Sequence, residues 1–263
     1  MPSVTFLTWP ELAGSGVDAR VTARVGGVSS GPYRSLNMSF AVGDEPGNVV
    51  ENRRRAAAAF GGDLADFVFA RQVHGAGVRV VGEPDRGSGT LTQDDAIPDT
   101  DALVTTSPEV VLAILTADCV PIVLHDPVAG VLACVHSGWR GTVARVGGVA
   151  VEAMKQLGAE PADIVAGIGP AIDPARYQVG PEVNAAITDA FGHAAGSCIR
   201  SDPGKDGRWL LDLWAANRIV LNEAGLREEN IHVTSIPTGG DFFSNRAERP
   251  CGRLALLARL EQR

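Results

Sequence analysis

Cys119 and His136 are the two residues whose types and spacing most plainly allow chemistry. Cys119 closes the apolar run Val110-Val-Leu-Ala-Ile-Leu115 through Thr116-Ala-Asp-Cys119, and His136 closes Val131-Leu-Ala-Cys-Val135. Between them lie Ile122-Val-Leu124 and then His125-Asp-Pro-Val-Ala-Gly130, a strong turn signal. If the flanking strands pair as a hairpin, residues whose numbers sum to about 255 to 257 face each other. Cys119 is then expected opposite His136 or one step from it, at the mouth of the hairpin. Alternation places Cys134 on the strand face of His136, which makes it the rival thiol. Pro121 cannot donate to the ladder, so a bulge there would shift this register.

A thiolate with neutral imidazoles ligates zinc or copper, and a catalytic zinc keeps one open position beside three protein ligands. Without metal, a Cys–His pair serves as nucleophile and base. Taken singly, Cys119 reads as a buried structural cysteine and His136 as a histidine satisfied by backbone. Their expected adjacency, with glycines following His136, favours the chemical reading. Ser137-Gly-Trp-Arg-Gly-Thr142 adds a helix start whose N–H groups attract anions, with Arg140 as a charge-assisted donor. A phosphate or carboxylate fits there, although Trp139 reads equally well as a core aromatic.

The elements that must position these groups alternate between strands and helices. Val21 to Val25 reads as a strand, and Asp44-Glu-Pro-Gly47 starts a helix that stops at Gly61-Gly62. Phe67 to Ala70 makes a strand that delivers Gln72 and His74 to a turn at Gly75-Ala-Gly77. Gly82 to Asp101 is acidic, rich in Gly, Pro, Ser and Thr, and is expected to be a long mobile loop. Val110 to Leu115 suits a strand covered on both faces. Further on come a helix from Thr142 to about Leu157, a strand at Ile164 to Ile168, a helix from Gly180-Pro181, and one headed by Asp212 running to Gly225. Strands near Ile231 to Val233 and Arg253 to Leu257 close the chain. This mixture predicts a layered α/β domain with no linker to split it, a single domain over residues 1–263.

Bulk properties narrow the function classes. With 45% hydrophobic residues the chain buries a sizeable core. A net charge of −8 argues against a nucleic-acid-binding surface, which needs a basic face. No apolar run approaches membrane length, and the N-terminus lacks the basic start and apolar stretch of a signal peptide. A cytoplasmic location is expected, with the four widely spaced cysteines as free thiols.

The sequence resembles the laccase-like multicopper polyphenol oxidoreductase family of YfiH type, whose members were later described as purine nucleoside phosphorylases. The matching segments are Ser35-Leu-Asn-Met-Ser-Phe40, Val42-Gly-Asp44, Glu51-Asn-Arg53, Gln72-Val-His-Gly75 and Asp101-Ala-Leu-Val-Thr105. They continue with Thr116-Ala-Asp-Cys-Val-Pro121, Val135-His-Ser-Gly-Trp-Arg-Gly141, Ile168-Gly-Pro170, Tyr177-Gln-Val-Gly180 and Phe242-Phe-Ser244. The resemblance implies a four-layer α/β/β/α sandwich and a pocket holding a His, Cys, His metal site, usually zinc, with copper as the alternative. By motif these ligands are His74, Cys119 and His136, which are also the implied catalytic residues. It further implies phosphorolysis of adenosine, inosine and guanosine with inorganic phosphate, cleavage of methylthioadenosine, and adenosine deamination.

Asn37 and Gln72, in matching motifs, are candidates for the substrate pocket beside Arg140. A small-molecule purine nucleoside is the expected partner, with no nucleic acid and no membrane, and the protein is expected to be a monomer. Some relatives are linked instead to editing of peptidoglycan precursors, which a Cys/His amidase would perform. A multicopper oxidase needs a trinuclear cluster, and the histidines left after a first copper site (His125, His193 and His232) are too few. The chain departs from the family pattern at Ala171 and at Ile236 or Pro237, where cysteines are common. It departs again at Asn245-Arg-Ala247, where Tyr-Arg-Arg is usual.

Overall fold

The computed structural model describes residues 3–262; Met1 and Pro2 of the N-terminal reading lie outside them. In chain order the elements are β1 (Phe6–Thr8), β2 (Val17–Thr22), α1 (Pro46–Phe60), β3 (Phe67–Phe69), β4 (Val78–Val80), β5 (Ala102–Thr105) and β6 (Val111–Thr116). Then follow β7 (Val120–Asp126), β8 (Val131–Ser137), α2 (Trp139–Val143), α3 (Val146–Gln156), β9 (Val165–Ile168), β10 (Gln178–Val179) and α4 (Pro181–Phe191). The last are β11 (Ile199–Ser201), β12 (Trp209–Leu211), α5 (Leu213–Glu223), β13 (Ile231–Val233) and β14 (Leu254–Leu260).

Side-chain alternation sorts these elements into layers. One mixed sheet runs β1-β2-β14-β6-β3 and a second runs β13-β9-β7-β8-β5-β4, with β10-β12-β11 as a small third sheet. On β6, Leu112 and Ile114 face the second sheet while Val111 and Ala113 face α1. On β8, Leu132 and Cys134 face the first sheet, whereas Val131, Ala133 and Val135 pack under the C-terminal helices. Both sheets are therefore apolar on both faces, and α1 covers one while α3, α4 and α5 cover the other. The expected four-layer α/β/β/α sandwich is what the chain forms.

Local signals explain the element ends. Pro46 occupies the first turn of α1, and Gly61, at φ 87°, closes it as a left-handed cap. The Asp212 carboxylate accepts the Ala215 N–H and caps α5. The single helix expected over residues 142–157 is instead two, α2 and α3, broken at Arg145, whose φ is 61°. The strand expected at Val21 to Val25 lies four residues earlier, as β2. The acidic segment expected as a mobile loop is tied to the free edge of β3: the Phe69 N–H donates to Ser88, and the N–H groups of Ile97 and Arg71 donate to Phe69 and Ile97. Its glycines and serines bend the chain, but its backbone groups are used much as a strand's would be.

Packing between Trp9 and the second sheet is tight at Gly167 of β9. A Cβ there would sit 2.9 Å from the Trp9 ring and 2.9 Å from Val123 Cγ1. Gly167→Ala is expected to overpack this layer at a cost of about 1–3 kcal/mol. Thermal unfolding checks this: Tm falls by roughly 2–4 °C per kcal/mol, and an unchanged Tm would show that the layer has slack.

Candidate active site

The shortest passage of the chain between the two sheets is where β6 of the first sheet hands over to β7 of the second. The crossing residues are Ala117-Asp-Cys119. Asp118 takes φ 87°, uncommon for a residue other than glycine. Its carboxylate compensates by accepting from Thr238 Oγ1 (2.5 Å), Ser244 Oγ (2.8 Å) and the Arg246 N–H (2.5 Å). Its carbonyl takes the Ile172 N–H. Cys119 is thus the tip of a clamped turn.

The β7–β8 hairpin forms with Pro121 opposite His136 and no bulge, a register in which paired numbers sum to 257. That lies at the upper limit of the expected range, so Cys119 is diagonal to His136, two residues beyond its partner, and not opposite or one step away. Gly138 leaves room for the thiol beside the His74 ring: a Cβ there would lie 2.8 Å from Cys119 Sγ and 3.4 Å from His74 Cδ2. Cys134, the rival thiol, shares the strand face of His136 but is sealed between the sheets, and burial pushes its thiol well up.

Asp101 joins the two histidines. It is fully buried at the head of β5, and its Oδ1 lies 2.8 Å from His136 Nδ1. The same carboxylate accepts the N–H groups of Val73, His74 and Gly75 at 3.3, 3.0 and 2.7 Å, while its carbonyl accepts the His136 N–H at 2.7 Å. These bonds hold His74 at φ 60° and set its ring edge-on to His136, 4.8 Å between centroids. With Nδ1 donating to Asp101, the His136 Nε2 is the nitrogen left for Cys119 and the cavity. Asp101 stands in the sequence as the first residue of the segment Asp101-Ala-Leu-Val-Thr105. An acid heading the apolar strand Ala-Leu-Val-Thr was the available sign that a buried carboxylate needed partners.

Burial pushes the Asp101 carboxyl up, but the hydrogen bonds from His136 and from the Gly75 and Val73 N–H groups outweigh it and hold the group below its ordinary value. For Cys119, burial also pushes up, yet the charges and hydrogen bonds of His136 and His74 bring the thiol down to about 6. Burial alone would lower His136; the Cys119 thiolate and Asp101 raise it instead. The metal-free centre is therefore a thiolate beside an imidazolium, the low-pKa environment of a reactive cysteine.

The donor atoms of His74, Cys119 and His136 lie within 4.8 Å of one another, a set that could hold a metal ion. The three line a cavity of about 430 Å³. Arg140 lines it too, stacked over the Trp139 ring at 4.4 Å, while Ser137 and Thr142 turn away to bond Asn217 of α5. Gln72 reaches the wall, but its amide is used as a strand-like brace, donating to the Leu115 carbonyl (2.7 Å) and accepting the Leu115 N–H (2.8 Å). Asn37 does not reach the cavity. It is fully buried and spends its amide on Ser39, Asp44 and the Arg253 N–H, so it clamps loops and leaves no donor for substrate. Tyr177, Arg246, Arg249 and Arg253 line the cavity without having been expected there. The two positions where family cysteines are common meet each other: Ala171 and Pro237 form an isolated bridge, away from the cavity lining.

Replacing Asp101 by Asn removes the charge that supports the His136 imidazolium and sets an N–H donor against backbone donors. In chelator-treated protein, thiolate absorbance near 240 nm is expected to titrate near pH 6 in the native chain and at clearly higher pH in Asp101→Asn. Coincident titration curves would contradict this coupling.

Comparisons with known proteins agree with this architecture. Residues 18–261 match the family model described as multi-copper polyphenol oxidoreductase laccase. A purine nucleoside phosphorylase of Streptomyces coelicolor is 42% identical over 234 residues, covering 89% of this chain and 91% of its own. One of Deinococcus radiodurans is 41% identical over 248 residues, covering 94% and 89%. Among solved structures, YfiH of Bacillus licheniformis superposes with a TM-score of 0.92 at 33% identity, over 99% of this chain and 97% of its own. YlmD of Geobacillus stearothermophilus gives 0.91 at 36% identity, over 97% and 94%. The chain belongs to the laccase-like polyphenol oxidoreductase family of YfiH and YlmD type, whose curated relatives carry the name purine nucleoside phosphorylase.

Proposed function

We propose that the protein is a purine nucleoside phosphorylase, cleaving adenosine, inosine, guanosine and methylthioadenosine with inorganic phosphate, and that Cys119, His74 and His136 are its catalytic residues. The observation that carries this reading is the close group of Cys119, His74 and His136, braced by Asp101 and opening into a cavity with a guanidinium at its wall. The relatives' names support it. In the reaction the C1′–N9 bond of the nucleoside breaks and a C1′–O bond to phosphate forms. The departing purine takes a proton, and a protonated imidazole of the group supplies it as general acid. The thiolate stabilises positive charge as it develops on the sugar, and Arg140 holds the phosphate.

Two imidazoles and a thiolate, with a carboxylate behind one imidazole, match the donor set of an open zinc site. His74, Cys119 and His136 would hold the metal, with zinc preferred over copper, and it would supply Lewis-acid polarisation and a water of lowered pKa. That water chemistry suits deamination of adenosine at the same centre. Copper oxidase chemistry of the multicopper kind finds less support. Among the described residues only this one trio has ligand spacing, and His125, His193 and His232 lie apart from it.

Purified, chelator-treated protein offered adenosine and inosine, with and without phosphate, tests the reading. Phosphate-dependent free base and ribose 1-phosphate are expected, together with a loss of at least about 10³-fold in Cys119→Ala, whose Tm stays close to native. Turnover unaffected by that substitution would remove Cys119 from the mechanism. No product from any nucleoside, with or without added zinc, would sink the phosphorylase and turn attention to amide bonds of peptidoglycan precursors. Gly138→Ala, which drives a methyl into Cys119 Sγ, is expected to abolish activity as fully as Cys119→Ala; retained turnover would mean that the thiol and His74 need not meet.

A further inference from the structure

Eight arginines of this acidic protein are met by carboxylates. Arg20, Arg24, Arg55, Arg71, Arg86, Arg145, Arg218 and Arg259 all pair with Asp or Glu. Among the described residues the five arginines that line the cavity do not: Arg53 and Arg253 spend their guanidinium groups on backbone carbonyls, Arg249 lies beside Asn245, and Arg140 and Arg246 are held differently. Each is laid on an aromatic ring: Arg140 over Trp139 at 4.4 Å and Arg246 over Tyr177 at 5.0 Å. Stacking orients a guanidinium while leaving its N–H edge free. Among the described residues the Arg140 guanidinium has no hydrogen-bond partner, and the Arg246 guanidinium spends only Nη1, on the Gln178 carbonyl at 3.0 Å. Both side chains are exposed, so their free N–H edges are open to an anion that enters the cavity.

Both guanidinium groups lie close to the reacting centre. The Arg246 backbone N–H is bonded to Asp118, the residue before Cys119, and Arg140 follows Gly138, which touches Cys119 Sγ. Tyr177 lines the same cavity beneath Arg246, and its phenol is pushed up to about 12, first by burial and then by the Cys119 charge. It therefore remains a neutral O–H donor at working pH. We infer that Arg246, Arg140 and the Tyr177 hydroxyl together form a subsite for a tetrahedral oxyanion of phosphate type, with Arg246 the arm that sets phosphate affinity. The inference deepens the phosphorylase reading, and it explains how one centre favours phosphate over water as nucleophile.

The test is calorimetric titration of the full chain with inorganic phosphate, without nucleoside, beside steady-state kinetics. Native protein, Arg246→Gln, Arg140→Gln, Tyr177→Phe and a remote control, Arg54→Gln on the exposed face of α1, are compared. Phosphate is expected to bind the native chain and the control equally, and about tenfold or more weakly in either cavity arginine variant. Tyr177→Phe is expected to weaken binding less. In kinetics the KM for phosphate rises while that for inosine changes little, a split that a merely structural role would not give. Phosphate binding that Arg246→Gln leaves unchanged, or a native chain that binds no phosphate, would overturn the inference. If phosphate binds through the arginines but no nucleoside is cleaved, the subsite stands and the phosphorylase reading falls.

Discussion

A carboxylate taken wholly out of water must be met by donors and by positive charge, or it will not stay ionised. Asp101 is met by three backbone N–H groups from one turn and by the imidazole at the end of a strand. That single requirement brings the 73–75 turn, β5 and β8 to one point. His74 is held in a left-handed conformation by it, and His136 has its ring nitrogen roles assigned by it. The charge of Cys119 rests in turn on the two histidines. The His136 charge is supported first by the Cys119 thiolate and then by Asp101, so loss of Asp101 removes one of its two supports.

A second buried carboxylate does comparable work on the other side. Asp118 gathers Thr238, Ser244 and the Arg246 backbone around the turn that presents Cys119. The cavity thus opens where the chain changes sheets, and each wall is fixed by an acid that substrate need not touch. The strain of positive φ at His74 and Asp118 is concentrated at this crossing and offset by those hydrogen bonds. The packed layers of the sandwich make the crossing rigid enough for three side chains from distant segments to keep their spacing.

Much of this was legible in the sequence. The hairpin from Val120 to Ser137 follows from its turn residues and apolar alternation, and with it the approach of Cys119 to His136. Helix caps at Pro46, Gly61 and Asp212 were readable for the same reason: each has a local physical cause. Partners set by long-range packing were not readable. Nothing near Asn37 indicates that its amide is consumed by Arg253, and nothing near Gln72 shows that it braces Leu115. The short strands β10 to β12, and the tethering of the 88–97 segment to β3, depend on neighbours far along the chain. His74 came into the site only through family resemblance, because its link to the others runs through Asp101.

The central claim is that nucleoside and phosphate meet at the Asp101-braced group. A crystal structure of the protein with phosphate and a non-cleavable inosine analogue tests it most directly. The account predicts the sugar C1′ facing His74, Cys119 and His136, with phosphate against Arg140 and Arg246 on its other side. Ordered nucleoside elsewhere in the molecule, with the Cys119 cavity free of it, would contradict the account.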